Sequence, residues 1–265
     1  MDISKFIEAF SGAPSEDDLT RQIGKLSQAM GLGQFRMAVI IPQSLQRPHV
    51  AIFSSCSEEW VDLYSRENLL QRDPIIHMSM RQSSPIFWDR GLSSAPDLPP
   101  GAMEVMDMAS GFGLRNGVSF PLRGASGEVG ILSFITNDHG SGLILEASPM
   151  LRLLADYILE AAIRIVRVRL QVPALTRREL DCLFWISEGK TQDEIAAILG
   201  ITTRTVAYHI KLAVQKTNST NRDQAAVKSV IRGLIIPNLN LIRVEDFCTK
   251  ADWGLCSKQA LPWSA

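Results

Sequence analysis

The stretch EGKTQDEIAAILGITTRTVAYHIK, residues 188–211, decides how the C-terminal part of this 265-residue chain folds. It holds two short amphipathic runs that the tripeptide LGI interrupts. Thr191 and Glu194 have the spacing of a capping box, in which two side chains satisfy the first N–H groups of a helix. A second helix is predicted from near Thr202, after Gly200 ends the first. A connection this short makes the two helices cross sharply, which is the geometry of a helix-turn-helix.

Two further helices flank this pair. The upstream helix opens at Thr176, where Glu179 completes another capping box, and it ends at Gly189, because glycine adopts a left-handed helix end most readily. The downstream helix is predicted over residues 222–234. The sequence therefore predicts a separate all-α, four-helix domain over residues 173–236. A small helical packing domain with a solvated polar face is the competing interpretation.

Charge is distributed unevenly along the chain. Residues 1–171 carry 15 Lys and Arg against 19 Asp and Glu, whereas residues 172–235 carry 9 against 6. The chain as a whole has a formal net charge of −1. A basic excess confined to a small helical unit indicates an anionic partner.

One face of the third predicted helix has the composition of a DNA-reading surface. An α-helix fits the major groove, and its first turns reach the base edges. Arg204, Tyr208 and Lys211 lie opposite the apolar stripe of this helix. The N-terminus of the preceding helix also attracts phosphate through its free N–H groups and its dipole. The candidate DNA-contacting residues are Lys190, Thr191, Thr203, Arg204, Tyr208 and Lys211.

Residues 174–235, which include LTRRELDCLFWISEGKTQDEIAAILGITTRTVAYHI and NRDQAA, closely resemble the DNA-binding domain of LuxR-type transcription regulators. The resemblance implies binding to double-stranded DNA as a homodimer, in part through residues 227–234. Such a dimer is expected to read a two-fold symmetric operator with half-sites about one helical turn apart. Ala207 departs from the family, which often has Lys or Arg there, and this leaves Arg204 and Tyr208, with Lys211, as the expected readers.

The first 170 residues have a different pattern. Strands are predicted at residues 35–41, 48–54, 116–122 and 128–135, and helices at residues 2–11, 15–30, 57–66, 71–81, 99–112 and 144–170. This order indicates an α+β domain with α-β-α layers around an antiparallel sheet. The apolar stripe of the last helix, from Leu151 to Ile165, suits a partner helix, and packing within the molecule explains it equally well. Such a sheet can hold an apolar ligand between layers. A phosphoacceptor receiver domain is discounted, because no acidic pair follows the first predicted strand.

Aromatic and acidic residues fall in a suggestive order within this domain. Trp60 and Tyr64 are four residues apart, on one face of a predicted helix. Asp73 precedes a proline, and Trp88 follows in PIFWD. Taken alone, each aromatic is more typical of a core position, and Asp73 of a turn. Together with Gly117 in RNGVSFP, they resemble the signal-binding domain of the quorum-sensing branch of the LuxR family.

This second resemblance, over about residues 15–170, implies a pocket for an N-acyl-homoserine lactone. Asp73 would accept a hydrogen bond from the ligand's amide N–H. The indole N–H of Trp60 would donate to the lactone carbonyl, and the phenol of Tyr64 to the acyl carbonyl. Trp88 would offer an apolar face to the lactone ring, and the hydroxyl of Ser133 would join the amide end. Each such contact is worth about 1–3 kcal/mol when buried.

Two residues depart from the family in ways that bear on the ligand. Cys56 stands in SSCSEEW where the family usually has a tyrosine, and Ile75 offers no hydroxyl to support Asp73. A missing phenol removes a hydrogen-bonding group and part of the pocket wall. We therefore expect an acyl part that differs from the commonest straight 3-oxo chains. The candidate ligand-binding residues are Trp60, Tyr64, Asp73, Trp88, Ser133 and Cys56.

Signals of other protein classes are missing from the sequence. No GxSxG, HExxH or P-loop pattern occurs, so no enzyme is predicted. The four cysteines form no CxxC pair and the four histidines are scattered, so neither a metal site nor a cofactor is expected. No apolar run reaches the roughly 18 residues of a membrane helix, and the start MDISKFIEAF lacks the features of a signal peptide. We expect a cytoplasmic protein with no membrane partner.

The predicted organisation is a signal-binding domain over residues 1–170, the DNA-binding domain over 173–236 and a C-terminal extension of unknown role over 237–265. Trp253, Trp263 and Phe247 argue against pure disorder in that extension. Two functions remain open. One is a ligand-responsive regulator. The other is a DNA-binding regulator whose first domain is a dimerisation scaffold or binds a protein antagonist. RNA polymerase is a further candidate partner.

Overall fold

The computed structural model describes residues 2–46, 48–88, 92, 97–136, 141–170 and 174–236. Its described residues up to 170 form helices around a five-stranded sheet. In chain order the elements are α1 (Ile3–Gly12), α2 (Glu16–Ala29), β1 (Gln34–Ile41), β2 (His49–Ser54), α3 (Glu58–Arg66), a 3₁₀ turn (Leu69–Gln71), α4 (Pro74–Ser79), β3 (Ile86–Phe87), α5 (Ala102–Gly111), β4 (Asn116–Arg123), β5 (Val129–Thr136) and α6 (Ser141–Leu170).

The strands lie in the order β2-β1-β5-β4-β3, and each neighbouring pair is antiparallel. Successive side chains point to opposite faces of a strand, and β1 shows this alternation clearly. Phe35, Met37 and Val39 face one side, where they pack with residues of α1, α2 and α6 in the main core. The other face carries Ser133 and Ile135 and lies against α3, α4 and α5. The α+β class is therefore confirmed.

Two details of this domain differ from the predicted elements. The helix predicted over 71–81 is a 3₁₀ turn followed by α4, because Pro74 can occupy only the first turn of a helix and Asp73 caps it. The strand β3, Ile86–Phe87, was not predicted, since two residues are too few to show a periodic pattern.

The long helix α6 uses its apolar stripe within the molecule. Leu151, Leu154, Ile158 and Ala162 have no exposed surface, and they pack in the same core as the sheet. This stripe is accordingly not available to a partner helix.

The described residues from 174 to 236 form four helices. They are α7 (Arg177–Ser187), α8 (Gln192–Leu199), α9 (Thr203–Lys216) and α10 (Arg222–Ile231). Both predicted capping boxes form, at Thr176 with Glu179 and at Thr191 with Glu194. Gly200 ends α8 with φ 66°, in the left-handed region that glycine adopts at least cost. The four-helix prediction is confirmed, with α10 ending three residues before its predicted limit.

A buried ion pair ties α7 to α9. Glu179 is 1% exposed, and both of its carboxylate oxygens accept hydrogen bonds of 2.9 Å from Lys216 Nζ. Burial raises the pKa of Glu179, but the hydrogen bonds from Lys216 and Thr176 outweigh that effect and hold the pKa below its usual range.

The helical domain touches the sheet domain near the end of α10. Arg232 donates from Nε and Nη2 to the carbonyl oxygen of Gln43, at 3.1 and 2.9 Å. Gly233 approaches Ser126 so closely that a Cβ at position 233 would clash with the backbone of Ser126. The predicted extension over residues 237–265 lies outside the described residues. Among the residues described, no helix is long and apolar enough to cross a membrane.

Candidate functional site

An apolar cavity of about 270 Å³ lies between the sheet and α3, α4 and α5. Its floor is the sheet face opposite the main core, and helical side chains form its roof. Five of the six predicted ligand-binding residues line it: Trp60, Tyr64, Asp73, Trp88 and Ser133. The remainder of the wall is almost entirely hydrocarbon, which suits a small ligand with a few polar groups.

The roof holds a carboxylate fixed by three hydrogen bonds. Asp73 Oδ1 accepts from the backbone N–H groups of Ile75 at 2.8 Å and Ile76 at 3.4 Å, as the N-cap of α4. The phenol of Tyr64 donates to Oδ2 at 2.7 Å. Burial raises the pKa of Asp73, and these hydrogen bonds offset that rise only in part.

The hydrogen bond from Tyr64 changes the role predicted for this residue. A phenol has one proton, and in the structure that proton goes to Asp73. Burial and the neighbouring carboxylate raise the pKa of Tyr64, so the group stays protonated. As placed, Tyr64 orients Asp73 and has no proton left for the acyl carbonyl of a ligand. It packs edge-on against Trp60, with the ring centroids 5.6 Å apart.

The floor holds a polar row that crosses three strands. Arg36 of β1 pairs in register with Ser133 of β5, which in turn pairs with Ser119 of β4. The indole N–H of Trp88 donates to Ser119 Oγ at 2.8 Å, and the Oγ atoms of Ser119 and Ser133 lie 2.7 Å apart. Ser119 has no exposed surface. Its own proton is therefore best satisfied by Ser133, which leaves the Ser133 proton free to point into the cavity.

Arg36 and Ser119 were not among the predicted residues. Arg36 lines the cavity, and its guanidinium carbon lies 4.5 Å from the centroid of the Tyr64 ring. Both residues occupy the polar positions of alternating strands, which a sequence presents in the same way as solvent-facing positions. The sequence does not show that each of them pairs with Ser133 on β5, and this pairing is what places them at the cavity floor.

Cys56 does not line the cavity, contrary to its place among the predicted ligand residues. Its Sγ lies 3.7 Å from the carbonyl oxygen of Phe35, and the side chain packs beside the cluster of Trp60 and Tyr64. The cysteine side chain is too short to reach the cavity from this position. The tyrosine that the family usually has here is longer. Burial raises the pKa of the Cys56 thiol.

The cavity has an apolar mouth at the edge of the sheet. Val50 and Ile52 of β2, with Leu70 and Met80 opposite, line the cavity and are also exposed to solvent. Ser133 and Ser119 lie on β5 and β4, the second and third strands in from this edge. The serine hydroxyls therefore lie inside the sheet, away from the apolar mouth at β2.

The second candidate site is the outer face of α9. Val206, Ile210 and Ala213 are buried against the other helices, whereas Arg204, Tyr208 and Lys211 are exposed. Within the described residues, no hydrogen bond or ion pair holds the side chains of Arg204 and Lys211. These two cations are thus free to contact a partner, and the Tyr208 ring, edge-on to His209, is exposed beside them.

The other three predicted DNA contacts have internal partners. The backbone N–H and the hydroxyl of Thr191 each donate to Glu194 Oε2 at 2.8 Å. Thr203 Oγ1 donates to Asp193 Oδ1 at 2.7 Å, and Lys190 Nζ lies 3.5 Å from Glu194 Oε1. Each of these groups would have to exchange a partner before it bound phosphate.

Two family models match the chain. The autoinducer binding domain matches residues 15–162, and the model of bacterial regulatory proteins of the luxR family matches residues 173–229. The transcriptional activator protein AhyR of Aeromonas hydrophila is 49% identical over 248 residues, which cover 92% of this chain and 95% of AhyR. These findings confirm both family resemblances.

Solved structures agree with the fold. A crystal structure of Escherichia coli SdiA matches with a TM-score of 0.76 at 27% identity, and the match covers 89% of this chain and 98% of SdiA. SdiA in complex with octanoyl-rac-glycerol matches with a TM-score of 0.73 at 26% identity, over 89% of this chain and 96% of SdiA. The matching families consist of transcriptional regulators, which confirms the expectation that the chain is not an enzyme.

Proposed function

This chain belongs to the LuxR family of transcription regulators, with an autoinducer-binding domain before the helix-turn-helix domain, and we propose that its signal is an N-acyl-homoserine lactone. The signal-binding domain spans residues 1–170 and the DNA-binding domain spans residues 173–236. The protein acts in the cytoplasm, where bacterial DNA lies. The observation that carries the proposal is the arrangement of Asp73 opposite the polar row, across a hydrocarbon cavity.

That arrangement suits a secondary amide. The N–H and C=O of a trans amide point in opposite directions. Asp73 offers an ionised acceptor on the roof, and Ser133 offers a hydroxyl proton on the floor. An amide lying between them satisfies both, and a charge-assisted bond to Asp73 is the stronger of the two.

The remaining groups accommodate the two ends of such a ligand. The indole N–H of Trp60 has no hydrogen-bond partner within the described residues and lies at the cavity, so it can donate to a lactone carbonyl. Trp88 contributes its ring face, since its own N–H goes to Ser119. The acyl chain then runs along Ala38 and Ile52 toward the apolar mouth.

The helical domain is proposed to bind a two-fold symmetric operator as a homodimer. Arg204, Tyr208 and Lys211 enter the major groove from the exposed face of α9. Val227 and Val230 of α10 are nearly half exposed, and they offer an apolar surface for the partner subunit. The two-fold symmetry of the dimer then sets the symmetry of the DNA.

Titration calorimetry tests the ligand assignment. N-hexanoyl-homoserine lactone is titrated into the wild-type protein beside its N-methylated amide, which cannot donate to Asp73. We expect binding of the first compound to be at least about tenfold tighter, the weight of a hydrogen bond to a charged group. Asp73→Ala should remove this preference, whereas Asp62→Ala, an exposed aspartate on α3, should keep it.

Two outcomes would contradict the assignment. Equal affinity for both compounds would show that the ligand's amide N–H does not donate a hydrogen bond to Asp73. Binding of octanoyl-rac-glycerol, the compound seen with SdiA, without binding of any lactone would point to a different signal class.

A further inference from the structure

Arg36 occupies an unusual place for a charged side chain. It is the third residue of β1, on the cavity face, with the apolar positions Ala38 and Ile40 following it on the same face. Its Nη1 is buried and has no hydrogen-bond partner within the described residues. A buried donor without a partner is costly, and because the Arg36 side chain lines the cavity, a ligand there can complete its guanidinium.

The surroundings of Arg36 are the polar end of the cavity. Its guanidinium stacks over the Tyr64 ring at 4.5 Å, and its register partner on β5 is Ser133. Burial raises the pKa of Asp73 and of Cys56, and the positive charge of Arg36 counteracts part of both rises. Tyr64, over which the guanidinium stacks, donates to Asp73 at 2.7 Å, so the guanidinium lies near the carboxylate that we assign to the amide N–H.

The acyl carbonyl of the ligand lacks the donor first assigned to it. Tyr64 gives its proton to Asp73, and Cys56 points toward the carbonyl oxygen of Phe35 rather than the cavity. A carbonyl oxygen has two lone pairs and accepts two hydrogen bonds. Ser133 can supply one of them from the floor.

We propose that Arg36 supplies the second, so that its guanidinium and the Ser133 hydroxyl together hold the acyl carbonyl of the signal. This inference rests on the proposed function. Arg36 is then a specificity-determining residue that replaces a phenol at the carbonyl end of the pocket. A cationic donor strengthens the bond and favours ligands whose acyl carbonyl is a strong acceptor.

A pair of ligands that differ only at this carbonyl provides the test. N-hexanoyl-homoserine lactone and its thioamide analogue have the same shape, but sulfur is a much weaker acceptor than oxygen. Affinities for both are measured by calorimetry with wild-type protein, Arg36→Met and Arg36→Lys. Arg66→Met is the matched control, because Arg66 lies exposed at the end of α3.

We expect the wild type to prefer the amide, and Arg36→Met to reduce that preference by about tenfold or more. Arg36→Lys should retain part of the preference, and Arg66→Met should retain all of it. Because the readout is a ratio within one protein, a general loss of stability in the variant cancels. Unliganded melting temperatures confirm that each variant is folded.

The outcomes separate this inference from the function on which it rests. If the wild type binds the lactone and Arg36→Met keeps the same amide-to-thioamide ratio, Arg36 does not contact the carbonyl, and the lactone assignment stands. If the folded wild type binds neither compound, the lactone assignment fails and the inference fails with it.

Discussion

Asp73 joins three tasks in one side chain: it caps α4, accepts from Tyr64 and faces the cavity. The cap alone would explain an aspartate before Pro74, which is why the sequence left two interpretations open. The cavity supports the second interpretation, that Asp73 binds a ligand. Asp73 already accepts hydrogen bonds from Tyr64, Ile75 and Ile76, and it also faces the apolar cavity, where it can accept one more from a ligand.

Acidification should weaken signal binding through Asp73. Burial raises its pKa, so the carboxylate takes up a proton at a higher pH than an exposed aspartate does, with Tyr64 and Arg36 as its facing groups. A protonated acid loses the charge that strengthens the amide bond. The unliganded fold has the opposite sign: a raised pKa of an acid means that this group costs stability as pH rises through the window between its unfolded and folded values.

The difference in melting temperature with and without lactone, followed against pH, measures this effect. We expect it to shrink as pH falls in the wild type and to depend less on pH in Asp73→Asn. A ligand-induced shift that grows on acidification would contradict the assigned role of the carboxylate.

Tyr64→Phe should weaken lactone binding by about 1–2 kcal/mol, because Asp73 loses the donor that orients it. The amide-to-thioamide ratio should stay at the wild-type value, since Tyr64 does not touch the acyl carbonyl in our arrangement. Calorimetry with the two analogues separates these effects. Loss of the amide-to-thioamide affinity ratio in Tyr64→Phe would instead show that the Tyr64 phenol contacts the acyl carbonyl.

At the level of elements, capped helices were the most predictable features. Thr176 and Thr191 predicted the starts of α7 and α8, and both capping boxes are present in the structure. The sheet face was harder, because Arg36, Ser119 and Ser133 come from three strands that are distant in sequence. Sequence patterns give the alternation within a strand, but the register between strands depends on the tertiary fold.

Lys211 on α9 provides a prediction for DNA binding. Lys211→Met removes one cation from the face of α9 that is proposed to enter the groove, so it should weaken DNA binding and reduce the slope of log affinity against log salt by about one. Lys25→Met, in the other domain, is the matched control for the loss of one lysine. Fluorescence anisotropy at several salt concentrations provides the measurement. An unchanged slope would show that Lys211 does not reach phosphate.

The buried ion pair predicts the stability of the helical domain. Lys216→Met leaves the Glu179 carboxylate buried without its partner and should cost about 2–3 kcal/mol, less than a fully buried pair because Lys216 is partly exposed. Glu179 has a lowered pKa, so the stability it contributes is present above its unfolded pKa and is lost as pH falls through the folded value. Urea denaturation at neutral and acidic pH measures both effects. A variant as stable as the wild type would contradict the argument.

At the scale of the whole molecule, the two domains meet where Arg232 donates to Gln43. Gln43 lies just after β1, the strand that carries Arg36, so the cavity floor and the contact with α10 share one chain segment. A ligand that binds only the folded first domain stabilises it by about 2.7 kcal/mol at a hundred times its Kd. Such stabilisation would support the surface on which α10 rests.

The proposed homodimer is also testable at this scale. Val230→Glu places a charge on the exposed apolar face of α10 and should weaken dimerisation by about tenfold, the equivalent of about 1.4 kcal/mol. Ile198→Glu, at an equally exposed apolar site on α8, should leave dimerisation unchanged. Analytical ultracentrifugation of the lactone-bound proteins gives the dissociation constants. Equal constants for both variants would exclude α10 as the interface.

The most direct test of the central claim is the melting temperature of the purified full-length protein against a panel of N-acyl- and N-aryl-homoserine lactones, with Asp73→Ala in parallel. We predict a large upward shift for one lactone, without a preference for the straight 3-oxo chains, and its loss in the variant. No shift with any lactone, in protein that is folded and still binds DNA, would contradict the claim. The first domain would then be a scaffold or the receptor of another signal.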